Sequence, residues 1–204
     1  MLKRTLEKKL KEAAKQYPVV TLTGPRQSGK TTLVKMAFPD CDYISLEEPD
    51  HRAFALEDPR GFLSQFPEKV ILDEIQRAPD LFSYIQTIVD TKDISGQFIL
   101  TGSQNFLLLQ KVSQSLAGRC AVLHLLPFSL SELNQRRPLP IDFIGRQLPG
   151  KNRSLNEELS PVLFKGFYPR IHDKGLNPVD WLGNYFQTYI ERDVRDVVNV
   201  GDLE

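Results

Sequence analysis

The residues best suited to chemistry form one glycine-rich stretch, Gly24-Pro25-Arg26-Gln27-Ser28-Gly29-Lys30-Thr31. This stretch satisfies the pattern G-x-x-x-x-G-K-[ST] of a phosphate-binding loop, or P-loop. Glycines let the backbone wrap closely around a polyphosphate, and the N-terminus of a following helix favours negative charge. We expect Lys30 to reach the β- and γ-phosphates of a nucleotide, the Thr31 hydroxyl to ligate Mg²⁺ and Thr32 to help hold an α-phosphate.

Two carboxylates end a second informative run, Val70–Glu74, whose sequence is VILDE. Asp73 is suited to hold Mg²⁺ through the ion's water ligands, and Glu74 is suited to polarise a water that attacks the γ-phosphate. A kinase must instead keep water away from the γ-phosphate. The carboxylate pair therefore favours hydrolysis of the nucleotide over phosphoryl transfer.

Two further sites carry candidate polar groups. Thr101 and Ser103 follow an apolar run, at a strand end where they could contact the γ-phosphate or the attacking water. A turn that prefers small polar residues would look the same. Arg119 precedes another apolar run and could reach a phosphate in a neighbouring subunit as an arginine finger, although a solvated arginine fits that position equally well.

Alternating apolar runs and helical patterns must position these groups. Strands are predicted over residues 19–23, 42–46, 70–74, 97–103 and 120–126, with helices between them and an amphipathic helix over residues 2–17. Ser129 and Glu132 have the S-x-x-E spacing of a capping box at the start of a further helix. Together with the P-loop motif, the alternation predicts an α/β fold: a P-loop NTPase with three α/β/α layers, a mainly parallel five-stranded sheet and a small helical segment after it.

The chain is predicted to have three parts. Residues 1–136 form the nucleotide-binding core with its N-terminal helix. Residues 137–160 lack clear periodicity, carry three prolines and are interpreted as a linker or excursion. Residues 161–204 form a helical lid or the start of a C-terminal region, with an amphipathic helix over residues 177–197.

Composition excludes several classes of protein. With 41% hydrophobic residues, 25% charged residues and a net charge of +0, the chain is typical of globular proteins and lacks the basic excess of a dedicated nucleic-acid binder. Local basic groups at Arg136, Arg137 and residues 151–153 leave contact with nucleic acid open. The absence of a long apolar run predicts no membrane span and a cytoplasmic location.

The motifs together resemble the bacterial and archaeal AAA family 14 ATPases of the AAA+ class, which have an extra strand between the P-loop strand and the Mg²⁺-binding strand. The resemblance is carried by GPRQSGKTTL, YISLEEPD, VILDEIQ, ILTGSQNFLL, SLAGR, LLPFSLSEL, GFYPR and YIERDVRDV. It implies a site for ATP that uses Lys30, Thr31, Asp73 and Glu74, a sensor-like role for Ser103 or Thr101, and a role for Arg119. It also implies a further C-terminal domain, before which this chain stops.

The leading hypothesis is a Mg²⁺-dependent ATPase whose turnover drives a conformational change in a protein partner or in a further C-terminal domain. A nucleotide-dependent binding switch with negligible turnover is the alternative, and a P-loop kinase is a weaker one. The arginine-finger interpretation of Arg119 would require a homo-oligomer.

Overall fold

The computed structural model describes residues 2–92, 94–103, 112, 114–136 and 155–190, the backbone alone being described for 155–159 and 190. The chain divides into two compact units, residues 2–138 and 139–204. Each unit is described by itself below.

The first unit is built on a parallel sheet. Its strands are β1 (Val19–Thr23), β2 (Asp42–Ser45), β3 (Val70–Asp73), β4 (Phe98–Thr101) and β5 (Cys120–His124). They lie in the order β2-β3-β4-β1-β5, and every neighbouring pair is parallel. β4 therefore lies between the P-loop strand and the strand that ends in Asp73, as the family resemblance implied.

Helices surround this sheet. They are α1 (Leu6–Ala13), α2 (Lys30–Ala37), α3 (Pro49–Glu57), α4 (Pro59–Ser64), α5 (Leu81–Lys92) and α6 (Leu130–Leu133), with a short 3₁₀ turn over Ile75–Arg77. The capping box predicted at the start of α6 is present, because Glu132 N–H donates to the Ser129 hydroxyl and Ser129 N–H donates to the Glu132 carboxylate.

Two hydrophobic clusters cover the two faces of the sheet. Successive strand residues alternate between them, so that Ile71 and Ile99 pack with α1 and α2 on one face, and Leu72 and Leu100 pack with α3, α4 and α5 on the other. A parallel sheet buried on both faces gives continuous apolar runs such as VILD and FILT. The predicted three-layer α/β/α fold is confirmed.

Element ends differ from the sequence-based prediction in ways that have local causes. α1 begins at Leu6 rather than near Leu2, because Arg4 and Thr5 contact Glu132 instead of continuing the helix. β3 stops at Asp73, because Glu74 has left-handed backbone angles (φ 57°, ψ 45°) that turn the chain out of the sheet.

The second unit is helical where it is described. It contains α7 (Leu155–Lys165), α8 (Pro169–Lys174), α9 (Pro178–Tyr185) and a π-helical turn over Phe186–Ile190. α7 was not predicted, since it begins inside the segment interpreted as a linker and contains Pro161, which weakens the helical signal by removing one backbone donor. Residues 137–154 of that segment, and 191–197 of the predicted last helix, lie outside the described residues.

Candidate functional site

The P-loop joins the carboxyl end of β1 to the N-terminus of α2. Gly24 has φ +147°, and a Cβ atom on it would lie 2.1 Å from the carbonyl oxygen of Leu125, so the loop needs glycine there for space as well as for backbone angles. Gly29, the N-cap of α2, has φ +93°. Gln27 has φ +59° in a loop where Pro25 and Arg26 are partly buried and Ser28 is buried.

Lys30 is the first residue of α2, and its side chain contacts the backbone of the P-loop. Its side chain is 5% exposed, and its ammonium donates hydrogen bonds to the carbonyl oxygens of Gly24 at 3.0 Å and Pro25 at 2.9 Å. Burial lowers the pKa of Lys30, against the raising effect of the Glu74 and Asp73 carboxylates. The ammonium is thus held against the backbone of the P-loop, within electrostatic reach of the two acidic groups.

Hydroxyl groups surround the Asp73 carboxylate, which is 5% exposed. Thr31 Oγ1 donates to Asp73 Oδ2 at 2.8 Å, Tyr43 OH donates to the same oxygen at 2.7 Å, and Thr101 Oγ1 donates to Oδ1. Burial, together with this hydrogen bond to Asp73, raises the pKa of Tyr43, so the phenol remains a donor. The structure therefore brings together Thr31, Asp73 and Thr101, three of the residues singled out in the sequence.

The chemistry of this pair suits a hard cation. A threonine hydroxyl and a carboxylate are oxygen donors of the kind that Mg²⁺ accepts while it keeps several waters, and their oxygens lie within one hydrogen bond of each other. Thr31 and Asp73 fit Mg²⁺ on these grounds.

A second contact network links Glu74 to β4. Gln76 Nε2 donates to Glu74 Oε2 and, at 3.1 Å, to Ser103 Oγ. The left-handed turn at Glu74 makes this contact possible, because it folds the 3₁₀ turn that carries Gln76 back against the Glu74 side chain. Gln76 Oε1 is buried and has no hydrogen-bond partner among the described residues, so it is an acceptor that a water could satisfy.

The remaining predicted residues lie in different places. Thr32 is exposed in the first turn of α2. Arg119 lies near the amino-terminal end of β1, whereas the P-loop follows its carboxyl end. The Arg119 carbonyl accepts from Val19 N–H at the start of β1, about 13 Å along the strand from Thr23. Its guanidinium pairs with Asp90 of α5, with Nη2 2.9 Å from Oδ2. Arg119 therefore cannot serve the P-loop of its own chain, and a role in a neighbouring subunit stays a prediction.

Basic groups that left nucleic-acid contact open are only partly placed. Arg136 is exposed after α6, whereas Arg137 and residues 151–153 lie outside the described residues. No helix in the described part of the chain is long and apolar enough to cross a membrane.

Three contact residues were missed by reasoning from the sequence. Tyr43 and Gln76 belong to the segments YISLEEPD and VILDEIQ, but no motif spacing assigns them a contact. Tyr43 precedes Ser45 by two residues on β2, and alternation along the strand puts both on one face near the end of β3. Arg4 donates to the P-loop carbonyl of Ser28 at 2.8 Å, and no sequence signal predicts this bond.

Two curated proteins of mycobacteria are similar in sequence to the chain. The uncharacterized protein Rv2008c of Mycobacterium tuberculosis and the uncharacterized protein Mb2031c of Mycobacterium bovis are each 29% identical to the chain over 195 residues. The match covers 94% of this chain and 40% of each relative, so the chain spans less than half of their length.

Solved structures show the same fold. The Walker-type ATPase paby2304 of Pyrococcus abyssi matches with a TM-score of 0.58 and 17% identity over 98% of this chain and 77% of its own. AMPPCP-bound DnaA from Aquifex aeolicus matches with a TM-score of 0.51 and 16% identity over 92% of this chain and 64% of its own.

The profile of AAA family 14, described as an AAA domain, matches residues 16–134. This range contains the P-loop, Asp73, Glu74, Ser103 and Arg119. The chain therefore belongs to AAA family 14 of the AAA+ P-loop ATPases, a family of nucleotide-binding domains.

Proposed function

We propose that the chain is a Mg²⁺-dependent ATPase in which Thr31 and Asp73 hold the cation, Lys30 contacts the β- and γ-phosphates and Glu74 orients the attacking water. The observation that carries this proposal is the 2.8 Å contact between Thr31 and Asp73, with Glu74 directly after Asp73 and linked through Gln76 to Ser103. Bound Mg²⁺ would neutralise charge on the phosphates. The P-loop residues 24–32, with Gly24 and Gly29 at its two turns, would supply backbone donors.

Each neighbouring group then has a role of its own. In this proposal Glu74 accepts a proton from the water as it attacks, and Ser103, whose hydroxyl accepts from Gln76 Nε2, contacts the same water or the γ-phosphate. Thr101 fixes the position of the Asp73 carboxylate, since its hydroxyl donates to Asp73 Oδ1 and its side chain is buried.

The work done by hydrolysis is proposed from the chain's organisation. We propose a core over residues 1–136, a connection over 137–160 and a helical region over 161–204 that acts as a lid or coupling element. We further propose that turnover is coupled to a protein partner or to a further C-terminal domain, and the chain spans 40% of the length of its curated relatives. A conformational change requires that this element bind differently to the ATP and ADP states.

Phosphate release under ATP saturation tests the hydrolytic role. Glu74→Gln keeps the shape of the side chain but removes the base, so turnover should fall by about 10²–10⁴-fold while ATP affinity is retained. Lys30→Ala should lose ATP binding. Glu57→Gln, the same change at an exposed residue of α3, is the matched control and should behave as native. A native chain that binds ATP but releases phosphate no faster than Glu74→Gln would refute the proposal.

One contact favours the alternative of a nucleotide-dependent binding switch with negligible turnover. The Gln76 amide bonds to Glu74 Oε2, which engages one of the two oxygens that could accept a proton from water. If this contact holds turnover down, Gln76→Ala should hydrolyse ATP faster than the native chain. A slower or unchanged rate in Gln76→Ala would count against the switch. A kinase would instead pass label from ATP to an acceptor in cell extract, whereas an ATPase gives free phosphate alone.

A further inference from the structure

Arg4, ahead of the first helix, contacts the outer side of the P-loop. Its Nη1 donates to the carbonyl oxygen of Ser28 at 2.8 Å, and its Nη2 donates to the carbonyl oxygens of Leu126 at 2.6 Å and Pro127 at 3.3 Å. The guanidinium thus joins the P-loop to the segment between β5 and α6. Ser28 and Leu126 lie 24 and 122 residues from Arg4 along the chain.

Arg4 is itself held in place from several sides. Its Nε lies 3.3 Å from Glu132 Oε1, in an ion pair whose side chains are 9% and 7% exposed, and its guanidinium carbon lies 4.8 Å from the centre of the Phe128 ring. Glu132 also accepts from Thr5 N–H at 2.6 Å and from Ser129 N–H at 2.9 Å. A charged pair with this many bonds has a defined geometry, so it can fix the position of the carbonyl that it contacts.

The Ser28 carbonyl is a sensitive place for such a contact. It lies one residue before Gly29, the N-cap of α2, and the first carbonyl bonded within that helix is that of Gly29, which accepts from Leu33. The peptide bond between Ser28 and Gly29 is planar and trans, so its C=O and N–H point in opposite directions. A donor that holds the Ser28 carbonyl outward therefore turns the Gly29 N–H toward the inner side of the loop.

We propose that Arg4 is a positioning residue for nucleotide binding, which pre-orients the Ser28–Gly29 peptide so that the Gly29 N–H faces the phosphates. The inference deepens nucleotide binding by the P-loop and does not depend on hydrolysis. A preorganised donor needs no reorientation when the anion arrives, so Arg4 contributes to affinity without touching the ligand. Its effect should be confined to the phosphate groups beyond the first, because the loop encloses the β-phosphate.

Arg4→Lys is the sharpest variant. A lysine keeps the positive charge beside Glu132 but lacks the planar fork needed to bond the Ser28 and Leu126 carbonyls while it is paired with Glu132. Calorimetric titration in EDTA would give the Kd for ADP and for AMP, at a temperature where circular dichroism shows each variant folded. We expect Arg4→Lys to raise the Kd for ADP by about ten-fold while the Kd for AMP changes by less than about two-fold. Lys3→Ala, the loss of an exposed neighbouring cation, should leave both values unchanged.

A structural role alone would give a different pattern. In that case Arg4→Lys would unfold at a lower temperature than native but keep the native ratio of ADP to AMP affinity, and the proposal would be overturned. If Arg4→Lys does not fold, Glu132→Gln provides the same test, because it keeps Arg4 and removes its charged partner. We expect the ratio of ADP affinity to AMP affinity to fall by about three-fold, and an unchanged ratio overturns the proposal. A native chain that binds no ADP would refute nucleotide binding itself, and this inference with it.

Discussion

Gly24 offers a direct test of how closely the P-loop is packed against the sheet. In Gly24→Ala the new Cβ would lie 2.1 Å from the carbonyl oxygen of Leu125, whereas real Cβ atoms essentially never approach closer than 3.0 Å. The backbone of the loop or of the segment after β5 must therefore move by about 0.9 Å. That movement strains the hydrogen bond from Leu125 N–H to Thr23 O, which is 2.8 Å long.

The size of the effect follows from three costs. An alanine at φ +147° is strained, the carbonyl clash forces a backbone shift, and one ladder hydrogen bond is weakened. Together they predict a loss of about 3–6 kcal/mol in the free energy of unfolding. Gly118→Ala is a matched control: Gly118 has φ +76°, but a Cβ there meets no atom of the described residues within 4 Å. It should cost about 1–2 kcal/mol, for backbone strain alone.

Urea unfolding of the two variants and of the native chain, followed by circular dichroism, measures both losses. The difference between them contains the clash with Leu125 together with the greater backbone strain at φ +147° than at φ +76°. If Gly24→Ala loses no more than about 0.5 kcal/mol beyond Gly118→Ala, the close approach of the P-loop to Leu125 does not constrain the fold and the reasoning is refuted.

Three further predictions concern single side chains. Tyr43→Phe removes the hydroxyl that donates to Asp73 but keeps the ring over which Lys35 Nζ lies at 3.4 Å. The Kd for Mn²⁺ in the ADP complex, measured by electron paramagnetic resonance, should therefore rise by about 10–100-fold. The control variant Tyr17→Phe should leave this Kd unchanged. Glu132 has a lowered pKa, since the N–H groups of Ser129 and Thr5 and the charge of Arg4 outweigh the opposing effect of burial. The ionised carboxylate should therefore stabilise the fold fully above its ordinary pKa of 4.5, and this contribution should be lost as the pH falls through the lower pKa of the folded state. In urea titrations at different pH, Glu132→Gln should flatten this loss of stability on the acid side. If Arg119 acts in a neighbouring subunit, Arg119→Ala should lower ATP turnover by about 10³-fold. Mixing Arg119→Ala chains with Glu74→Gln chains should then restore part of the activity, because each variant supplies the residue that the other lacks. No recovery on mixing would contradict an arginine finger.

Much of the fold could be predicted because its signals are local. β3 and β4 are buried on both faces, so each appears as a continuous apolar run whose ends are marked by polar residues. The end of β3 was placed one residue too late, because Glu74 looks like a strand residue and only the backbone shows its left-handed turn. α7 was missed for a similar reason, since Pro161 weakens the helical signal although the helix continues around it.

The candidate site divides along the same line. Thr31 and Asp73 were both predicted to hold Mg²⁺, Thr31 from the P-loop motif and Asp73 from the VILDE run, and their oxygens lie 2.8 Å apart. Tyr43 contacts the Asp73 carboxylate and Gln76 contacts the Glu74 carboxylate, but their positions depend on the alignment of β2 with β3 and on the turn after β3. Such alignments arise from packing of the whole sheet and leave no short pattern in the chain.

Arg4 shows a physical reason why some contacts of the site cannot be predicted from sequence motifs. The P-loop motif records mainly the residues that serve the phosphates, although Gly24 is also required by the close approach of Leu125. The outer side carries carbonyl groups such as that of Ser28, which need a donor once they are covered by protein. Any donor that reaches them will satisfy this need, so the residue that supplies it is chosen by the surrounding fold and can come from a distant part of the chain. Two P-loops with the same motif can therefore differ in how firmly their N–H groups are aimed, and the difference lies in residues outside the motif.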